Sequence, residues 1–404
     1  MGNNLKIEFG EPVVVTMAPV QERRWGCYQF PRFDLNDAGD LVVTCHVGDD
    51  SHDDAGERNP QPYRITHDNG NSWEPFSEPD SLRHTRVLRD GTEIRFLPRQ
   101  KRPAGELGIL PAHEGFRDHY NNRLNLYRYE DLPDVLQGIR IARRLPGSNS
   151  EELVTAPLDA PGFLAGAHTL TGTSAGKVEL PGNISPYKLE ADSTECLELP
   201  DGTLLYAKKA FRADEEGALL PGECQMYLLA STDRGSSWRL RSTIAYIPDR
   251  ALWGLHEQTL TLLANGTLVC VMRSDEGGKE EDPRNLYIGR SNDDGFTWSA
   301  PEVLNPFGVE PELLTLENGV TALSYGRPGV QFRFSSDPYG QVWTDPHVIL
   351  DGGDFSTNAD YTCGYTKLHA TGPDSLLIVY SDFKHQDDDG NVRKAILIRH
   401  VRVN

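Results

Sequence analysis

The sequence lacks the features that mark membrane-spanning, nucleic-acid-binding and disulfide-stabilised proteins. Among its 404 residues no apolar run reaches about 18 in a row, so we expect no transmembrane helix. Lys and Arg number 40 against 60 Asp and Glu, a net charge of -20. This argues against nucleic acid as a partner, because phosphate binding needs a positive surface. The six cysteines form no CxxC pair and no His/Cys metal spacing, so we expect neither a disulfide framework nor a bound metal.

Targeting and cofactor motifs are missing as well. The first residues, MGNNLKIEFGEPVVV, contain no basic segment followed by an apolar one. We therefore expect a cytoplasmic protein, or a secreted one whose signal peptide is absent from this sequence. Glycine motifs that bind phosphate or dinucleotides are absent too, and no cofactor is expected. The chain is instead rich in turn formers, with 38 Gly and 27 Pro, and its 38% apolar residues are typical of a folded protein.

A short repeat, Ser/Thr-x-Asp-x-Gly-x-x-Trp, predicts a recurring tight turn. Three copies fit and a fourth has one extra residue: THDNGNSW (66–73), STDRGSSW (231–238), SNDDGFTW (291–298) and SSDPYGQVW (335–343). In these Asp-Gly-Trp turns we expect Asp to bind backbone amides of its own turn and Gly to adopt a positive φ. The Trp is expected to be buried in the adjacent hydrophobic layer. Four of the six tryptophans fall in these segments, which makes chance a poor explanation.

A second repeat, strand, turn and apolar strand, accompanies these turns. It occurs as AGDLVVTCH, PDGTLLYAKK, ANGTLVCVMR, ENGVTALSYGR and PDSLLIVYSD. Together with the strands that flank the Asp-Gly-Trp turns, each unit has four strands, which is typical of one propeller blade. We therefore predict an all-β fold, a six-bladed β-propeller in which residues 1–404 form a single domain.

The predicted blades are assigned along the whole chain. Their approximate ranges are 24–80, 84–190, 191–248, 252–305, 308–350 and 360–404, with 5–18 closing the ring. Residues 84–190 are expected to be one long, degenerate blade with insertions, because no Asp-Gly-Trp turn falls within them. A seven-bladed alternative follows if this segment holds two blades.

Aligning the units on their turns brings reactive residue types to two shared positions. The residues nine positions before the turn are Glu257, Glu310 and Tyr365. The residues seven or eight positions after it are His46, Lys209, Arg273 and Arg327. Both positions are expected to face the pocket, since loops at one end of the first strands form it. Converging cations predict an anionic ligand such as a carboxylate. The competing interpretation is that each cation pairs with an acidic neighbour in its own blade.

These residues resemble the pattern of the sialidase superfamily over most of the chain, although the likeness is thin over 84–190. The Asp-Gly-Trp turns are similar to the family's Asp boxes, which are structural. Glu257 precedes Arg273 by 16 residues, as in the family's Glu–Arg block, and Arg327 fits the place of a further arginine. Tyr365, in CGYTKL, fits the place of the nucleophilic tyrosine. The family's first carboxylate-binding Arg is replaced here by Gln29.

The resemblance implies a retaining exo-glycosidase that removes a terminal acidic sugar, a sialic acid or a related ulosonic acid, from a glycan. Tyr365 would be the nucleophile and Glu257 its base, because a neutral phenol is not repelled by the substrate's carboxylate. The implied general acid is Asp53, with Asp50 as the second choice. Arg273 and Arg327 would hold the carboxylate.

Gln29 leaves two interpretations open. Either Arg24 or Arg32 substitutes for the missing guanidinium, or the substrate is not an ordinary sialic acid. Trp25 is a candidate for stacking on the sugar, and the remaining candidates for substrate binding are His46, Lys209 and Glu310.

Two other functions compete with hydrolysis. One is a polysaccharide lyase, or an atypical hydrolase, acting on uronic-acid glycans with a histidine base, for which His46, His52, His67 and His256 are available. The other is a glycan-binding propeller without catalysis, since fold does not imply function. All three hypotheses share an acidic glycan as partner, and the sequence does not predict an oligomeric state.

Overall fold

Strands dominate the protein in its computed structural model. The structure describes residues 5–48, 60–79, 82, 85–97, 102–117, 122–148, 150–173, 176–179, 183–185, 196–221, 225–248, 254–274, 285–353 and 358–404. Within these residues, helix is limited to α1 (Ala104–Leu107), to short 3-10 segments at Tyr129–Asp131, Asp134–Leu136 and Asn358–Asp360, and to 3-10 backbone at Pro79. The predicted all-β class is therefore confirmed. In the described part of the chain, no helix is long and apolar enough to cross a membrane.

The strands are numbered in chain order. The first ten are β1 (Ile7–Phe9), β2 (Val13–Met17), β3 (Gln29–Leu35), β4 (Leu41–His46), β5 (Tyr63–Thr66), β6 (Glu74–Pro75), β7 (Arg86–Val87), β8 (Glu93–Phe96), β9 (Arg102–Pro103) and β10 (His113–Arg117). The next eleven are β11 (Arg123–Arg128), β12 (Ile139–Arg144), β13 (Glu152–Ala156), β14 (Leu158–Asp159), β15 (Phe163–Thr173), β16 (Gly176–Glu179), β17 (Asn183–Ser185), β18 (Leu197–Glu198), β19 (Leu204–Arg212), β20 (Gln225–Ser231) and β21 (Trp238–Ala245). The last eleven are β22 (Leu255–Leu262), β23 (Leu268–Ser274), β24 (Leu286–Ser291), β25 (Glu302–Asn305), β26 (Val309–Thr315), β27 (Thr321–Gly326), β28 (Val330–Ser335), β29 (His347–Leu350), β30 (Lys367–Gly372), β31 (Ser375–Gln386) and β32 (Val392–Val403).

Five sheets have the four or five strands of a propeller blade. Their strand orders are β3-β4-β5-β6, β13-β12-β8-β7, β22-β23-β24-β25, β26-β27-β28-β29, and β1-β32-β31-β30 with β2 also paired to β32. A larger, eleven-stranded sheet has the main order β10-β11-β15-β19-β20-β21-β14, with β9, β16, β17 and β18 attached at its sides.

The prediction of a β-propeller is confirmed, but the predicted number of blades is wrong. The structure has five blades, not six, and the seven-bladed alternative fails with it. The error lies in residues 84–248. Within the predicted degenerate blade 84–190, strands β7, β8, β12 and β13 form a sheet of their own. Strand β15 of the same segment pairs with both β11 and β19, and this pairing joins it to the strands of the predicted blade 191–248. That blade is consequently part of the eleven-stranded sheet.

The Asp-Gly-Trp turns adopt the predicted geometry. Each Asp carboxylate accepts the backbone N–H four residues later, and the N···O distances are 2.9 Å at Asp68, 2.8 Å at Asp233, 2.9 Å at Asp293 and 2.6 Å at Asp337. The glycines that follow have φ between 62° and 90°. Burial of the tryptophans is only partly as expected. Trp238 is 2% exposed, but the other three are half-buried.

The chain forms two compact units. Unit 1 comprises Met1–Arg83, Leu263–Arg273 and Asn305–Asn404, and unit 2 comprises His84–Leu262 and Ser274–Leu304. In unit 1, the sheet that contains β31 has hydrophobic clusters on both faces. Leu376, Ile378 and Tyr380 belong to the cluster shared with β27 and β28, and Leu377 and Val379 to the cluster shared with β4. This alternation explains why β31 is a continuous apolar run in the sequence.

Candidate active site

Strands β3, β22 and β26, each the first strand of its sheet, share a residue with strained backbone at the position that the repeat alignment identifies. Phe30, Glu257 and Glu310 each stand nine residues before the turn glycine of their unit, and their φ values are 50°, 47° and 41°. Left-handed backbone is costly for side chains other than glycine and is often found at functional sites. The ladders of β3 with β4 and of β26 with β27 are irregular at this point, as in a β-bulge. Bulges re-aim side chains at the end of a strand.

Tyr365 lies on an irregular segment, Thr362–Thr366, directly before β30. The segment approaches the end of β27 so closely that a Cβ built on Gly326 would lie 2.0 Å from the carbonyl oxygen of Gly364. Only glycine fits there. The half-buried Tyr365 ring packs edge-on against Phe30, with the ring centroids 4.9 Å apart at an interplanar angle of 67°. This ring contact places the phenol beside the strained end of β3.

Arg327 follows Gly326 and reaches the same segment. Its Nε donates to the backbone carbonyl of Cys363 at 3.3 Å. Its guanidinium carbon also lies 6.0 Å from the ring centroid of Trp25, within cation–π range. Arg327 thus connects the tyrosine segment to an aromatic side chain of the loop between β2 and β3. A permanent positive charge and a phenol are held on neighbouring pieces of backbone.

The loop 18–28, which carries Trp25, is tied down by two consecutive residues of β32. The Arg393 guanidinium donates to the carbonyl of Ala18 at 2.8 and 2.6 Å. The Lys394 ammonium donates to the carbonyls of Arg24 at 2.5 Å and Cys27 at 3.3 Å. Lys394 is only 6% exposed, and burial lowers its pKa from the usual range.

The Arg24 guanidinium is bound by a carboxylate of its own loop. Its Nη2 lies 2.5 Å from Oε2 of Glu22, and its Nε donates to Oε1 at 3.0 Å. Glu22 is 7% exposed, so this pair is sheltered on the carboxylate side. A substrate carboxylate would compete with Glu22 for Arg24. Arg24 as a substitute for the missing family arginine stays a prediction.

Gln29 and His46 face each other in the ladder of β3 and β4. Nδ1 of His46 lies 2.9 Å from the carbonyl of Gly26. Because a carbonyl only accepts, Nδ1 carries the proton and Nε2 is the basic nitrogen. The His46 ring centroid is 6.0 Å from that of Phe30. Gln29 is fully buried, and within the described part of the chain neither amide atom has a hydrogen-bond partner.

Glu310 belongs to a charged group on neighbouring strands of unit 1. Nζ of Lys367 lies 3.5 Å from Oε1 of Glu310 and 2.9 Å from Oε2 of Glu312, and all three side chains are about three-quarters buried. Val309 pairs with Gly326, whose backbone contacts Gly364. Glu310 and Tyr365 are therefore each one residue beyond this backbone contact.

We call Trp25, Phe30, His46, Arg327 and Tyr365 the unit 1 cluster. Four of its members were predicted from the sequence. Phe30 was missed, although it stands at the same aligned position as Glu257 and Glu310. The anchoring Lys394 was also missed, because a Lys next to Arg393 near the start of an apolar strand gave no signal of its role.

The remaining predicted residues lie on other strands or outside the described residues. Arg273 is 3% exposed in β23, and its convergence with Arg327 stays a prediction. Glu257 in β22 and Lys209 in β19 are half-buried residues of unit 2. Asp50 and Asp53 lie outside the described residues. Among the residues described, no three His, Cys, Asp or Glu side chains are grouped as a metal site requires.

Comparison with known proteins gives similarity of fold. No protein-family model and no curated protein matches the sequence. A protein of unknown function from Dyadobacter fermentans is similar over 98% of this chain and 99% of its own, at 17% identity and a TM-score of 0.58. NanB sialidase from Streptococcus pneumoniae aligns over 98% of this chain and 70% of its own, with 11% identity and a TM-score of 0.47. The GH93 α-L-arabinofuranosidase of Fusarium graminearum aligns over 98% of both chains, with 14% identity and a TM-score of 0.49. The first of these similarities supports the fold described above, and the other two carry no conclusion about activity.

Proposed function

We propose that the protein is a glycoside hydrolase that removes a terminal acidic sugar from glycans with retention of configuration, using Tyr365 as nucleophile. The observation that carries the proposal is the attachment of Arg327 to the tyrosine segment. The guanidinium donates to Cys363, two residues before Tyr365, and the glycine contact fixes the two backbones together. A carboxylate held by Arg327 would bring the adjacent carbon of the sugar close to the phenol.

The residue types suit this chemistry. An oxocarbenium-like transition state beside a carboxylate disfavours an anionic nucleophile, and a neutral phenol avoids that repulsion. A phenol has a reference pKa near 10 and needs a base to react at neutral pH. Glu257 is the base that the sequence resemblance implies, and Asp53 or Asp50 the general acid. Trp25 is the candidate for stacking on the sugar.

The experiment is a panel of aryl glycosides of sialic acids, related ulosonic acids and uronic acids, with the anomeric form of the released sugar followed by NMR. Hydrolysis that releases a reducing acidic sugar in its original configuration supports the proposal. Inversion of configuration, or neutral sugars as the preferred substrates, would contradict it.

A second candidate, a polysaccharide lyase, is favoured by one observation. His46, a member of the unit 1 cluster, donates Nδ1–H to Gly26, which leaves Nε2 as the nitrogen that can accept a proton. Such a nitrogen suits removal of the proton beside a uronic-acid carboxylate. A lyase would give an unsaturated product that absorbs in the ultraviolet, and His46→Gln would abolish that product. The hydrolase gives no such absorbance.

A further inference from the structure

The tyrosine segment Thr362–Thr366 is buried although it belongs to no strand. Thr362 and Cys363 are fully buried and Thr366 is 1% exposed. Buried backbone outside a sheet ladder must find its hydrogen bonds elsewhere. Here the Ser381 hydroxyl on β31 supplies one of them, and hydroxyl–hydroxyl contacts link the segment to β27 and β31.

Ser381, on β31, holds the first half of the segment. Its Oγ accepts the backbone N–H of Cys363 at 3.3 Å and lies 3.0 Å from Oγ1 of Thr362. The Thr362 Oγ1 in turn accepts the N–H of Gly364 at 3.0 Å. Ser381 is fully buried, so these bonds are shielded from water.

Ser324, on β27, holds the other side. Its Oγ lies 2.7 Å from Oγ1 of Thr366, and Ser324 is also fully buried. Tyr365 therefore stands between Gly364 and Thr366, two residues that are each fixed through a buried hydroxyl. The Cys363 carbonyl that accepts from Arg327 lies within the same fixed stretch.

From this arrangement we propose that Ser381 and Ser324 are positioning residues, which orient the phenol of Tyr365 relative to the guanidinium of Arg327. The inference rests on the proposed function and adds to it the residues that orient the nucleophile. Neither serine touches the substrate. Each acts through the backbone of the tyrosine segment, and small displacements of a reacting group are costly in rate.

The test compares Ser381→Ala and Ser324→Ala with Ser335→Ala. Ser335 is a suitable control because it is a 2% exposed serine of the same unit whose Oγ also anchors a turn, donating to the Val342 carbonyl at 2.7 Å. All three variants lose a buried hydroxyl, so a merely structural role predicts similar losses of melting temperature and no difference in kinetics. The positioning role predicts that only Ser381→Ala and Ser324→Ala lower kcat, by about tenfold or more, with little change in KM.

A second readout does not depend on activity. 3-Fluorotyrosine is placed site-specifically at position 365, one of the 15 tyrosines, and its fluorine resonance is recorded in each background. We expect a shifted or broadened resonance in the Ser381→Ala and Ser324→Ala proteins and an unchanged one with Ser335→Ala. Unchanged resonances in both test variants overturn the proposal, and so does a shifted resonance with unaltered kcat. If the wild-type protein hydrolyses nothing, the proposed function fails and the fluorine measurement alone decides the positioning role.

Discussion

At the residue scale, Gln29 is unusual because its amide is buried without compensation. It is fully buried, and both polar atoms lack a partner among the described residues. Such an amide costs about 1–3 kcal/mol relative to an apolar group of similar shape. We expect Gln29→Met to raise the apparent free energy of unfolding by roughly this amount, measured by urea denaturation.

Gln225 provides the control for this prediction. It is 3% exposed, its Nε2 donates to the Pro221 carbonyl at 3.2 Å, and only its Oε1 has no partner among the described residues. Gln225→Met loses that bond and is therefore expected to lower the free energy of unfolding relative to Gln29→Met. If Gln29→Met destabilises the protein as much as Gln225→Met, the amide of Gln29 is satisfied in solution and this account of it is wrong.

At the scale of elements, the loop 18–28 depends on Lys394. Its ammonium binds two carbonyls of the loop and lies 4.6 Å from the ring centroid of Phe383. Lys394→Met keeps the apolar length but removes both hydrogen bonds. We expect amide hydrogen exchange in the loop to accelerate by about tenfold or more, because local opening costs less free energy. Lys384→Met, which removes an exposed lysine of β31, should leave exchange in the loop unchanged.

The Asp-Gly-Trp turn at Asp68 is expected to make the stability of the protein depend on pH. Hydrogen bonds from the Ser72 hydroxyl and amide, with a further one from Thr66, lower the pKa of Asp68 from its ordinary 3.8 to about 2. The folded state therefore binds fewer protons than the unfolded state between these values. The resulting stability is present above about pH 4 and is lost as the pH falls towards 2.

Asp68→Asn removes this titration. We expect the melting temperatures of the wild type and the variant to differ most near pH 5 and to approach each other as the pH falls to about 2.5. A difference that stays constant over this range would show that the Asp68 charge does not stabilise the turn.

The sequence predicted those turns and sheets that belong to a repeat. The Asp-Gly-Trp turns and the sheets that correspond to 24–80, 252–305, 308–350 and 360–404 follow from turn chemistry and strand alternation. Residues 84–190 contain no such turn, so nothing in the sequence indicated that β15 would pair with β19. In the site, the alignment located Tyr365 and Glu310 but not the left-handed backbone of Phe30, which follows from packing at the end of β3.

At the scale of the whole molecule, Trp238 connects an Asp-Gly-Trp turn to the core of unit 2. It is 2% exposed, belongs to a large hydrophobic cluster of that unit and packs against Phe96 with the ring centroids 5.8 Å apart. Trp238→Ala is expected to lower the apparent free energy of unfolding by about 3–5 kcal/mol. Trp298→Ala, at the half-buried tryptophan of another turn, should cost clearly less. Equal losses in the two variants, by urea denaturation, would contradict this picture of the core.

Under the proposed function, the unit 1 cluster works as one site. In this account Arg327 binds the carboxylate, the hydroxyl network fixes the tyrosine segment, and Tyr365 forms the bond to the sugar. Tyr365→Phe removes one oxygen and leaves the ring contact with Phe30 in place. Tyr361→Phe is the matched control, because Tyr361 lies nearby in sequence and its ring instead faces Lys384 at 5.6 Å.

The most direct measurement is intact-protein and peptide mass spectrometry after reaction with a fluorinated, activated derivative of the acidic sugar that the protein hydrolyses fastest. Such a derivative slows breakdown of a covalent intermediate more than its formation. The account predicts one added sugar on the peptide that contains Tyr365, in the wild type and in Tyr361→Phe, and none in Tyr365→Phe. A label on another residue, or turnover by Tyr365→Phe at the wild-type rate, would contradict it.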